Sequence, residues 1–453
     1  MGERCAVCSS PQGLETGIGL VLRRFSSIAV TVKDAAVTLP LSTSNSQDGT
    51  QPLPEAKKTG SMARKLVLSQ LQQLQHGQIT ITDSVGTVTV GQEAADGLQA
   101  ELTIHDPAVY RTLIWQGSLG FAECYLQGMW TTEDLTRLIR IFCRNMDQLN
   151  ANEKGLSWCF QQVARLKHWL SDNSKTGSKR NIAAHYDLSN EFFQLFLDPT
   201  MSYSSALFTS EEQTLEEASV EKIDRACRQL ELQPGDHLME IGTGWGGLAL
   251  HAVQNYGCRV TTTTLSRQQY ELARQRIADA GLENQIEVLL TDYRDLQGEY
   301  DKLVSIEMIE AVGHRHLTTY FQQCNNLLKR GGKMLIQAIT IPEQRYERYL
   351  KSADFIQRYI FPGGHLPSVA AMQQAVSQQT ALRLIDLHEF GFSYARTLRQ
   401  WLHNFTPQLE SVKALGFDDR FINMWTYYLC YCEAAFLEQS VGVAQLTWNK
   451  ARY

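Results

Sequence analysis

Leu238-Met239-Glu240-Ile241-Gly242-Thr243-Gly244-Trp245-Gly246-Gly247-Leu248-Ala249 reads as a short apolar strand that meets an acidic residue, turns through glycines and enters a helix. Glycine at 242 and 244 lets the main chain take positive φ and leaves it bare for a ligand to lie against, at the start of a helix. Gly242, Gly244 and Gly247 also satisfy the G-x-G-x-x-G spacing of dinucleotide-binding turns, a weak match on its own. The bland alternative is a strand-to-helix turn with no ligand.

Glu240 stands two residues before Gly242, giving the E-x-G-x-G pattern of S-adenosylmethionine-dependent methyltransferases. No Lys-Ser/Thr pair follows, which sets aside a Walker-type phosphate loop. Around this turn the chain alternates strand and helix in the manner of a parallel sheet. Strands are expected at 237–241, 259–264, 286–290, 300–306, 332–339 and 382–389. Helices are expected at 217–230, 245–255, 266–280, 317–328 and 369–379, with a helical insertion at 345–359 and late helices at 394–409 and 418–438. Upstream, a helical period at 63–76, alternation at 78–90 and 98–105, and helices after Asp106-Pro107 describe a small α+β domain. The domain plan is therefore a disordered tail (1–60), an N-terminal α+β domain (61–150), a linker helix (151–180) and an α/β domain (181–453).

The chain's 453 residues have room for two or three domains, and its net charge of −6 lacks the basic footprint of a nucleic-acid binder. Ten cysteines are scattered without a repeated metal-ligand spacing, so a reduced compartment and no metal are expected; Cys5-x-x-Cys8 lacks a second pair. No run approaches the roughly 18 apolar residues that span a bilayer, and the short apolar run at 17–22 makes a poor signal peptide.

In open parallel sheets, ligands sit beyond the carboxyl ends of the strands, which here are 242–246, 264–269, 291–294, 307–313 and 337–340. For adenosylmethionine, the first would meet the methionine and ribose, the second the ribose hydroxyls, and Asp292 with Tyr293 the adenine edge. Asp292 reads equally as a helix cap, and Ser266 as the cap of the helix after it. Glu307 and Glu310 lie three apart in an apolar segment, so at least one is expected to be hydrogen-bonded or functional. The aromatic run at 181–208 (His185, Tyr186, Phe192, Phe193, Phe196, Tyr203, Phe208) reads as core, or as a cover over an apolar ligand.

Taken together, Tyr203-Ser204-Ser205-Ala206, Glu240 to Gly246, Thr264-Leu265-Ser266, Asp292-Tyr293-Arg294-Asp295, Glu310-Ala311-Val312-Gly313, Tyr359-Ile360-Phe361-Pro362-Gly363-Gly364 and Thr426-Tyr427-Tyr428 with Cys432 resemble the cyclopropane fatty acid synthase family. They fall in the family's order, from about residue 98 onward. The resemblance implies a seven-stranded Rossmann-like class I methyltransferase sheet with helical insertions over an acyl tunnel. It implies methyl transfer from S-adenosylmethionine to the cis double bond of a phospholipid acyl chain, giving a cyclopropane. For the cofactor it implies Tyr203, Ser204, Glu240, Gly242, Gly244, Trp245, Gly246, Thr264, Leu265, Gln269, Asp292, Tyr293 and Arg294. An active-site bicarbonate would act as base, held by Glu310, Tyr394, Gln337, Ser205 and the Ile339 main chain, with Cys432 lining the substrate. Tyr203, Phe208, Tyr359, Phe361, Tyr427 and Tyr428 would supply ring faces toward a carbocation.

Many family members have Cys at the position of Ser205, His at that of Gln337, and Glu-His at that of Glu310-Ala311. The form seen here, with Gln337-Ala338-Ile339-Thr340, resembles the branch that includes plant-type cyclopropane synthases and bacterial enzymes making methylene- or methyl-branched fatty acids, the alternative product class. A small-molecule methyltransferase and a silent lipid-binding protein are the readings from other classes. A bilayer substrate implies peripheral contact at the inner face of the membrane by a cytoplasmic protein, with a homodimer admitted as its assembly.

Overall fold

The computed structural model describes residues 55–152, 188–351 and 354–452, all within one compact unit. The expected tail up to residue 54, most of the linker helix, Cys5, Cys8, His185 and Tyr186 lie outside the described residues.

A four-stranded sheet is built from Gly77–Asp83 (β1), Gly86–Gln92 (β2), Gln99–Ile104 (β3) and Trp130–Thr131 (β4), in the order β2-β1-β3-β4. The single alternating segment expected at 78–90 is a hairpin. Asp83 Oδ1 accepts from the N–H groups of Val85 and Gly86, closing a turn that period-2 alternation runs straight through. Ile79, Ile81 and Val90 face the core beside the helix Glu55–Leu71, which starts ahead of the expected residue 63. The helix Leu135–Arg144 joins this layer to the end of the chain. Thr136 Oγ1 donates to buried Glu433 at 2.8 Å, and Arg140 and Arg144 donate to Glu438 at 2.6 and 2.7 Å.

The main sheet contains His237–Ile241 (β5), Arg259–Thr263 (β6), Ile286–Leu289 (β7), Tyr300–Ile306 (β8), Leu328–Thr340 (β9), Leu382–Glu389 (β10) and Gly442–Lys450 (β11). Its order is β10-β11-β9-β8-β5-β6-β7. Strands β9, β8, β5, β6 and β7 run parallel, and β11 is antiparallel to both of its neighbours. Helices on both faces bury the centres of β5 and β8, where Leu238, Met239, Leu303 and Val304 are fully inaccessible. Chain order reverses between β5 and β8, and the cleft that ligands use in such sheets opens there.

The sequence pattern places six of these seven strands and misses β11. From Val443 to Trp448 every side chain of β11 is buried, polar Gln445 and Thr447 included, so the strand lacks the alternation of a half-exposed one. The insertion expected at 345–359 as one helix is the helix Glu343–Tyr349 followed by a π-helical turn, Ile356–Ile360. Tyr359 and Arg358 of that turn both reach Glu123 of the N-terminal layer, at 2.6 and 2.8 Å. The aromatic run is mostly core: Phe192, Phe193 and Phe196 are fully buried against Trp401, Phe405 and Trp425 of the late helices Gly391–Phe405 and Asp419–Leu437. No helix of the described residues is long and apolar enough to cross a membrane.

Candidate active site

The turn after β5 is held by main-chain hydrogen bonds. The N–H groups of Gly242 and Thr243 both donate to the Thr263 carbonyl at 3.0 Å, and Ser305 Oγ donates to the Ile241 carbonyl at 2.8 Å. Gly242 sits at φ 107°, where a Cβ would also stand 3.3 Å from Met308 Cβ. Only glycine is at ease there. Trp245 is pinned by its Nε1 donating to Asn190 at 2.8 Å.

Over this turn lies a cavity that opens to solvent. Of the residues expected at the cofactor, Tyr203, Ser204, Glu240, Gly242, Gly244, Trp245, Thr264, Leu265, Gln269 and Tyr293 form its wall. Gly246, Asp292 and Arg294 stand off it. Gly246 is the entry to the helix Gly247–Tyr256. Asp292 caps the short turn Tyr293–Asp295 and binds the Arg294 guanidinium through both oxygens, at 2.7 and 2.6 Å.

Glu240 is buried at this wall, and its Oε2 has no hydrogen-bond partner. Burial pushes its carboxyl up to about 8. Buried polar atoms are normally paired. An orphaned oxygen beside bare main chain, at the wall of this cavity, fits a ligand carrying hydroxyl and amine groups such as adenosylmethionine. Lys222, also buried at the wall, donates to Ser204 Oγ at 2.9 Å. Burial lowers its pKa, against the pull of Glu307 and other carboxylates.

The turn after β8 is built from side chains. Glu307 takes φ 48°, a left-handed conformation that costs a non-glycine residue roughly 1–3 kcal/mol. Its Oε1 accepts from the Ser205 N–H at 2.9 Å and from Gln337 Nε2 at 2.7 Å, and its Oε2 accepts from the Tyr394 hydroxyl at 2.8 Å. Glu310 Oε1 accepts from the Ile339 N–H at 2.6 Å, while its Oε2 is buried without a partner. Burial, then the neighbouring Glu307, pushes Glu310 up to about 8.

This arrangement corrects the expected anion site. Gln337, Tyr394 and the Ser205 main chain converge on Glu307, not on a space beside Glu310, and the Ile339 N–H is taken by Glu310 itself. The Ser205 hydroxyl turns away to donate to the Ala206 carbonyl at 2.9 Å. The donors assigned to a bicarbonate are filled by the chain's own carboxylates, so the residues present do not fit that ion as a separate ligand. Cys432 is half-buried, and burial pushes its thiol up, against a nucleophilic thiolate.

Of the six ring residues expected around the substrate, Tyr203 is on the cavity wall, stacked on Trp401 at 5.3 Å with its hydroxyl donating to Tyr428. Phe208 lies beneath the Arg396 guanidinium at 3.9 Å, Phe361 sits edge-on to Tyr428 at 6.4 Å, and Tyr427 packs between Tyr125 and Phe355.

Three residues of this arrangement carry no motif. Glu307 has the same spacing claim as Glu310. Lys222 interrupts the buried stripe Ala218, Ser219, Ile223 and Ala226 of the helix Leu215–Leu230, a break in amphipathicity that is visible in sequence. Gln445 of β11 donates to Gln337 Oε1 at 3.0 Å and accepts from Arg225 at 2.6 Å, fixing which end of the Gln337 amide faces Glu307.

The family described as mycolic acid cyclopropane synthetase matches residues 173–446. A tuberculostearic acid methyltransferase of Mycobacterium tuberculosis is 40% identical over 380 residues, covering 82% of this chain and 88% of that protein. The cyclopropane-fatty-acyl-phospholipid synthase of Escherichia coli K12 is 33% identical over 354 residues, covering 78% and 88%. Among solved structures, mycolic acid cyclopropane synthase CmaA1 complexed with SAH and CTAB aligns with a TM-score of 0.56 at 34% identity, covering 60% of this chain and 98% of that one. The sheet order, the glycine turn and these matches agree: the chain belongs to the mycolic acid cyclopropane synthetase family and is an S-adenosylmethionine-dependent methyltransferase.

Proposed function

We propose that this enzyme methylates the cis double bond of an unsaturated acyl chain carried by a membrane phospholipid and closes it to a cyclopropane. The observation that carries the reading is a fixed carboxylate, Glu307, set between apolar Ile306 and Met308 on the cavity wall that also holds Tyr203. A negative charge held dry beside an aromatic ring is what a carbocation on a hydrocarbon chain requires. The donor, when bound, supplies an electrophilic methyl on a sulfonium. The alkene π pair forms the new C–C bond, the S–CH3 pair stays with sulfur, and the other alkene carbon is left cationic. Loss of a proton from the new methyl then closes the ring.

Adenosylmethionine would lie against Gly242 and Gly244, with Glu240, Thr264, Leu265, Gln269 and Tyr293 around it and Tyr203 and Ser204 over it. The long-chain surfactant CTAB named with CmaA1 supports an acyl ligand. A second reading, a methylene- or methyl-branched product, is favoured by the higher identity to the tuberculostearic acid methyltransferase. It requires a 1,2-hydride shift before the methyl loses its proton, and a separate reductant for the saturated branch. Access to a bilayer substrate would be by peripheral contact at the cytoplasmic face of the membrane.

Incubation with adenosylmethionine and dioleoyl phospholipid, followed by mass analysis of the fatty acids, tests this. A gain of one CH2 per chain is expected. Ozonolysis then separates a ring, which survives, from a methylene, which gives a ketone. No mass gain on lipid would remove both readings.

A further inference from the structure

We propose that Glu307 is the proton acceptor of the reaction, its carboxylate taking the seat that a bound bicarbonate would otherwise fill. This rests on the lipid methyl-transfer reading above and goes beyond it by naming the base as part of the chain.

Three donors from three separate elements meet on this one side chain: the Ser205 main chain, Gln337 of β9 and Tyr394 of the helix Gly391–Phe405. A carboxylate offers about four lone-pair sites. Three are used, and one remains to take a proton. Glu307 stands on the cavity wall with Gly242 and Met308, whereas Glu310 does not. The backbone at 307 is left-handed, a position that glycine would occupy without strain, yet the chain keeps a glutamate there. A strained residue whose side chain is fully engaged at a ligand cavity is held there by its surroundings for a purpose.

The neighbouring carboxyl supports this division. Two buried carboxyls that repel each other, as Glu307 and Glu310 do, cannot both be charged without penalty. Glu310 has the Ile339 N–H as donor to Oε1, an orphaned Oε2 and a pKa pushed up to about 8, so it keeps its proton. Burial raises Glu307 as well, but its three donors and nearby Lys222 work against that rise, whereas Glu310 has Glu307 adding to its own; of the two, Glu307 is the better placed to carry the charge. In the step itself, a methyl C–H bond breaks and its electron pair becomes the third C–C bond of the ring. The proton goes to Glu307 and passes to water as the product leaves. No oxidant or reductant is involved.

The test compares wild type with E307Q and E307G. Bicarbonate binding is measured by calorimetry in the presence of SAH, and turnover in carbon-dioxide-scrubbed and in bicarbonate-supplemented buffer. Wild type should bind no bicarbonate and turn over equally in both buffers. E307Q should retain SAH binding while kcat falls about a hundredfold, the usual scale of a lost general base, without rescue. E307G, with the seat vacated, should bind bicarbonate and regain turnover with it. Bicarbonate binding or stimulation in wild type overturns the proposal, as does wild-type kcat in E307Q or an E307G that ignores bicarbonate. If wild type turns over no lipid, the functional reading falls, and the binding contrast between wild type and E307G still decides whether Glu307 fills the anion seat.

Discussion

Two neighbouring parallel strands, β5 and β8, end in turns made of opposite materials. After β5 the chain offers glycine and main chain, held by hydrogen bonds to the adjacent strand β6. After β8 it offers two buried carboxyls, one of them fastened by partners 102, 30 and 87 residues away in sequence. A site made of backbone is specified by local spacing. A site made of buried side chains is specified by whatever the fold brings to it.

The contrast predicts which variants damage binding and which damage chemistry. The largest effect is expected for Gly242→Val, where φ 107° and the 3.3 Å approach of Met308 leave no room for a β-branched residue. SAH affinity should weaken by more than about a hundredfold by calorimetry, with cooperative melting retained. Tyr394→Phe removes one donor from a charged acceptor, a loss of about 2 kcal/mol, so kcat should fall about thirtyfold while SAH affinity holds. If Tyr394→Phe instead weakens SAH binding and spares kcat, the division between the two turns fails.

A separate effect is expected in the pH dependence of stability. Glu310 is raised from 4.5 to about 8, so the folded protein binds this proton more tightly than the unfolded chain does. Its contribution is therefore fully present below 4.5 and is lost as pH rises towards 8. Glu240, also raised to about 8, acts in the same direction. Urea midpoints should fall across that window in wild type and fall less in Glu310→Gln; parallel curves would mean that Glu310 carries no such proton. The smallest effect is expected at the third turn, after β7. Asp292→Ala should cost about 1 kcal/mol of stability, the worth of a lost cap, and leave SAH binding unchanged. Weakened binding would group this turn with the glycine one.

The same division explains what the sequence disclosed. The glycine turn, the main-sheet strands β5 to β10 and the caps at Ser266 and Asp292 are local, and they stand where spacing puts them. The β1-β2 hairpin was hidden because its turn residues fall inside a continuous alternation, and β11 because burial of all its central side chains erases alternation altogether. Glu307 and Glu310 look alike in sequence. What separates them is the convergence of Ser205, Gln337 and Tyr394, a tertiary fact with no local trace.

Strand β11 follows every other described element in the chain, yet it lies inside the sheet, between β9 and β10. Through Gln445 it also sets the amide of Gln337 that steadies Glu307. Loss of β11 would free the Gln337 amide to turn over, while the glycine turn after β5 would keep its own main-chain hydrogen bonds to β6.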